Sequence, residues 1–158
     1  MVNDILVTIV AFSGVLAGYF LSLIAPEELE LGKKYFILFQ NMSYALFLLV
    51  ITFYFTSLII VSSLVSVLVF SLGYFYNVSK FLYIPSGLLF FFVGQDEILL
   101  LVSILFFLTG MGAGSYEATK YVKNEKVNGK INLLRSLLFY YGWFVPLAVL
   151  PFFLSYFK

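Results

Sequence analysis

From Tyr35 to Tyr76 the chain runs for 42 residues without a single charged side chain. A helix must hold about 20 mostly apolar residues to cross the hydrocarbon core of a bilayer, so this run is twice a span in length. It is expected to form two spanning helices joined by a tight turn near Thr56–Ser57. The wider chain repeats the pattern. Apolar segments at about 5–25, 35–55, 58–76, 81–94, 98–118 and 136–157 leave only short polar connections between them. The expected fold is an all-α integral membrane protein, a single polytopic domain over residues 1–158 built as a six-transmembrane-helix bundle of three out-in-out hairpins.

A soluble all-helical core is a poor fit. Only 11% of residues are charged, against about a quarter in ordinary soluble domains, and the apolar segments lack the polar faces a soluble bundle needs. The N-terminal MVND has no basic region ahead of the first apolar run and no clear small-x-small cleavage pattern, which reads as a retained span.

Charge distribution checks the span count. With six spans, the connections at 26–34, 77–80 and 119–135 share one side. They carry Lys33, Lys34, Lys80, Lys120, Lys123, Lys126, Lys130 and Arg135, eight of the nine basic residues. Lys and Arg in short loops mark the cytoplasmic side, so both termini are expected outside and the basic loops inside the cell. Reading 35–76 as one span would split the basic loops between the two sides. Span 4 is the weak element: fourteen residues at 1.5 Å each reach roughly 21 Å, short of the ~30 Å core, and Pro85 and Gly87 interrupt it. It is either an ordinary span with Lys80 snorkelling or a broken element of the kind that lines transporter sites.

Small residues suggest how the helices pack. Ala11, Gly14, Gly18, Ser22 and Ala25 form one stripe on span 1, and Ser103, Gly110, Gly114 and Ala118 form another on span 5. Span 3 offers Ser62, Ser66 and Gly73. Such stripes permit close backbone approach in lipid. Spans 1, 3 and 5 are therefore expected inside, with the bulkier 2, 4 and 6 around them. The segments Ser13–Gly18 and Thr109–Gly114 also resemble each other, which would fit a parallel internal repeat.

Candidate chemistry is sparse. The chain has no Cys and no His, which removes thiolate nucleophiles, His-ligated metals and His bases together, so no cofactor and no metal are expected. Asp96 and Glu97 form an adjacent acid pair between spans 4 and 5, either a cation or proton site or a solvated turn. Glu117 either lines an inner vestibule or pairs with Lys120 or Lys123. Gln40, Asn41 and Ser43 lie inside span 2, where amides either hydrogen-bond between helices or meet a polar solute. Pro146 and Pro151 leave carbonyls unpaired in span 6, beside Tyr140, Tyr141 and Trp143.

Asn77-Val78-Ser79 matches a glycosylation acceptor but falls on the expected cytoplasmic side, and Gly32-Lys33-Lys34 lacks phosphate-loop spacing. Enzyme activity is disfavoured, although an acid pair with a metal is not excluded. With a net charge of +1, no nucleic-acid partner is expected. Two functional classes remain. One is a transporter or channel for a small solute or ion, with a path along Gln40, Asn41, Glu117 and the acid pair. The other is an accessory or scaffolding subunit of a larger membrane complex. Either way the partners are the lipid bilayer and further membrane helices, as a homo-oligomer or with other subunits.

Overall fold

The computed structural model describes residues 2–25, 27–76, 83, 86–87, 89, 98–121 and 127–146, and is all-helical over them. Five helices are traced: α1 (Val2–Ile24), α2 (Glu28–Thr56), α3 (Ile59–Tyr76), α4 (Ile98–Tyr121) and α5 (Val127–Tyr141). Among the described residues, α1, α2 and α4 are long and apolar enough to cross a membrane, and α3 is a shorter apolar helix. Span 4 and the acid pair Asp96–Glu97 lie outside the described residues, apart from Tyr83, Ser86, Gly87 and Leu89, which are helical.

The uncharged run divides at Ser57. This residue takes the left-handed conformation (φ 56°), and its N–H donates to Phe53 O at 2.8 Å, closing the end of α2. Thr56 Oγ1 donates to Thr52 O at 2.7 Å and accepts the Leu58 N–H at 3.3 Å, so the turn satisfies its own polar groups without glycine.

Two of the expected loops are shorter than the charge pattern implied. Glu30, Lys33 and Lys34 sit on the first turns of α2, because Glu, Leu and Lys are good helix formers. In the basic stretch, α4 continues to Tyr121 and α5 is already helical from Val127, ahead of the expected Ser136. Leu133, Leu137 and Tyr141 are buried at four-residue intervals while Ile131, Asn132 and Arg135 face outward, an amphipathic pattern that the charges mask. The helix then breaks at Gly142–Trp143. Pro146 has no N–H for the Gly142 carbonyl, which instead accepts from Val145 at 3.2 Å.

Packing directions follow from the residues that meet. Gly14 lies against Phe107, and Gly18 against Met111 and Ser115, so α1 and α4 run parallel. Gly112 meets Gln40, and Phe106 meets Phe47 at 5.2 Å between ring centroids, so α2 runs antiparallel to α4. Gly73 meets Asn41 and Ser66 Oγ donates to Ala45 O at 2.7 Å, so α3 runs antiparallel to α2. Helix α4 is thus held between α1 and α2.

That arrangement corrects the expected layering. Helix α2 is central, and α3 is peripheral, packed along α2. Ser66 and Gly73 of α3 serve that one seam, and the helix is open elsewhere, with Ile60 73% and Phe75 77% exposed. The tyrosines also divide. Tyr35, Tyr74 and Tyr140 are exposed near helix ends, whereas Tyr44, Tyr83 and Tyr141 are buried within the bundle.

Candidate functional site

The centre of the bundle is built on α4. On one side Gly14 and Gly18 of α1 interdigitate with Gly110 and Gly114, each missing Cβ being replaced by backbone of the opposite helix. Ser115 Oγ donates to Gly18 O at 3.2 Å across this seam. The backbones approach so closely that any side chain at these positions would overlap main-chain atoms, which explains the small-residue spacing. On the neighbouring face, Gly112 lets the backbone of Gln40 approach: a Cβ there would lie 3.1 Å from Gln40 Cα.

A compact aromatic group fills the space beside these glycines. The Phe106 and Phe144 rings stack at 4.3 Å, Tyr83 lies 4.5 Å from Phe106, and Tyr141 meets Tyr83 edge-on at 4.8 Å. Tyr44 stacks on Phe47 at 5.6 Å, and its hydroxyl hydrogen-bonds Ser86 Oγ at 2.8 Å.

Gln40 Nε2 and the Tyr83 hydroxyl are buried in this core with no hydrogen-bond partner among the described residues. Gln40 is 2% exposed and Tyr83 1%. They adjoin α4 at different sides: the Tyr83 hydroxyl lies 2.7 Å from where a Cβ of Gly110 would stand, whereas Gln40 packs on Gly112, two residues on and about 200° round the helix. An unmet donor or acceptor within a membrane interior costs several kcal/mol, so each of these two groups calls for a further hydrogen-bonding partner.

The other residues singled out from the sequence separate. Asn41 follows Gln40 but turns toward α3, its amide against Gly73. Glu117 is 3% exposed on α4. It lies five residues beyond Gly112, roughly 7 Å further along the helix axis. Lys120 and Lys123, its suggested partners, have side chains outside the described ones, as do Asp96 and Glu97. The residues overlooked in the sequence are Tyr83, Tyr44 with Ser86, and Gly112. Tyr83 falls in the first turn of a short span, where tyrosine ordinarily anchors to the interface, and Gly112 lies off the three-and-four spacing of the stripe. Compared with family models, curated proteins and solved structures, the chain matches none.

Proposed function

We propose that the chain is a six-span protein of the cell membrane, with basic loops in the cytoplasm and both termini outside, that passes a small polar solute or ion through the centre of its bundle. Support for the sixfold crossing comes from helix direction. α3 and α4 point the same way, as a further crossing between Tyr76 and Ile98 would make them, and the helical residues Tyr83, Ser86, Gly87 and Leu89 fall within that interval. Of the sixth span, expected over 136–157, the described residues reach Pro146, and α5 carries its first part.

The transport reading rests on one observation: among the described residues, Gln40 Nε2 and the Tyr83 hydroxyl are buried without hydrogen-bond partners, on Gly112 and Gly110 of α4. Structural glue would be bonded across a seam, as Ser66 and Ser115 are. The rings of Phe106, Tyr141 and Phe144 pack on Tyr83, so passage beside its hydroxyl requires them to part. Glu117 is the further polar residue of the path; Asn41 faces α3 instead, and Asp96 and Glu97, also expected on the path, lie outside the described residues.

One observation favours the other reading, a subunit of a larger membrane complex. The outer face of α3, with Ile60, Leu64, Val67, Leu68 and Phe75, is apolar, exposed and suited to a neighbouring helix. Liposome flux separates the two. Transport predicts that Gln40→Leu and Tyr83→Phe abolish flux while folded protein is recovered in full. Absence of flux from wild-type liposomes, together with a stoichiometric membrane partner on mild-detergent purification, would overturn it.

A further inference from the structure

We infer that the chain binds one anionic phospholipid at the lysine-bearing end of α2, with an acyl chain lying in a furrow between α1 and α2 and the phosphate on Lys33. The furrow exists because α1 and α2 both pack on α4 with little direct contact between them. Its volume is about 310 Å³. Leu21 of α1 forms one wall, and Tyr35, Phe36 and Phe39 of α2 form the other. Gly112 and Ser115 of α4 make the floor, where small side chains leave depth.

The furrow is apolar and opens sideways, which in a bundle of spanning helices means into the hydrocarbon of the bilayer. Its outer end is at the membrane surface: Tyr35 is exposed there as an interfacial aromatic, and Lys33 lies three residues ahead of Phe36, on the next turn outward. Gly32 allows the Phe36 ring to fold back over its own helix, since a Cβ at 32 would lie 2.9 Å from that ring. Lys33 Nζ is held 6.0 Å from the centroid of the Tyr116 ring, across the α2–α4 seam and next to the floor residue Ser115. This fixes a cation at the end of an acyl-chain groove. Bulk lipid tails are as apolar as the groove, so the groove supplies shape, and the selection among lipids comes from the charge on Lys33. Glu27 and Glu30 are exposed near the same end of α2. Neither is among the residues that line the furrow.

The test is native mass spectrometry of delipidated protein titrated with phosphatidylglycerol or phosphatidylcholine of identical chains. A single lysine near the surface favours an anionic lipid about fivefold, so the wild type is expected to retain one phosphatidylglycerol at about that ratio over phosphatidylcholine. Lys33→Gln should bring the ratio to about one. Lys34→Gln removes the same charge one residue on, about 100° round the helix from the ammonium that lies over Tyr116, and should leave the ratio unchanged. Leu21→Trp, at a half-exposed wall position, should lower retention of both lipids alike. A wild-type ratio near one overturns the proposal, as does an equal loss in Lys33→Gln and Lys34→Gln, which would indicate diffuse surface attraction. The wild-type ratio is read on unaltered protein and does not depend on any variant folding.

Discussion

Replacing Gly18 with alanine tests the α1–α4 seam directly. The new Cβ would overlap Met111 O and lie 2.8 Å from Ser115 N and 2.9 Å from Met111 C. All three are main-chain atoms of α4, which no rotamer change can move aside. The helices must therefore separate locally, and overpacking of this kind costs about 1–3 kcal/mol. Separation also stretches the Ser115 Oγ to Gly18 O bond, already 3.2 Å, whose loss adds about 0.6 kcal/mol in a membrane interior. A total near 2–3 kcal/mol corresponds to about 4–12 °C in apparent Tm for a chain of this size. Fluorescence-detected thermal unfolding in mild detergent would measure it, with Val50→Leu on α2 and Leu64→Ala on the exposed face of α3 as comparisons expected to shift by less than about 2 °C. If Gly18→Ala melts with the comparison variants, the close parallel contact of α1 and α4 is wrong.

Further outcomes follow from the same geometry. Tyr83→Phe removes a buried hydroxyl that has no partner among the described residues, so it should leave stability unchanged or raise it by up to about 1 kcal/mol in chemical denaturation; a loss of more than about 1 kcal/mol would show the hydroxyl to be bonded. Gly73→Leu should detach α3 from α2, because even a Cβ would lie 2.5 Å from Asn41 Oδ1, and limited proteolysis at the Ser57–Leu58 turn should then speed up while Ser71→Leu, on a part-exposed position, changes little. Trp143, the only tryptophan, is 57% exposed at the break after α5, so brominated lipids should quench its emission strongly, and weak quenching would place that break outside the bilayer. The absence of native cysteine makes single-cysteine labelling direct: a cysteine at Lys158 should react with an impermeant maleimide from outside intact cells and one at Asn128 should not, and the reverse pattern would invert the proposed topology.

The membrane-helical character, the break in the uncharged run near Ser57 and the glycine spacing were legible because each depends on local composition. Length without charge demands a span, and a stripe of small residues demands a close neighbour, whatever that neighbour is. Which helices meet was not legible. Stripes on spans 1, 3 and 5 look alike in sequence, yet Gly14 and Gly18 meet Gly110 and Gly114 while Ser66 and Gly73 meet α2, because pairing depends on the shape of both partners. Helix ends beside charges were misplaced for a related reason: Lys33 and Arg135 are polar residues on helices, and hydropathy alone cannot separate a charged turn of helix from a loop. The burial of Tyr83, the unmet amide of Gln40 and the furrow beside Lys33 arise only once three or more helices stand around α4. A single chain order carries no record of that enclosure, since hydrogen-bond satisfaction and groove depth are properties of atoms brought together from distant positions.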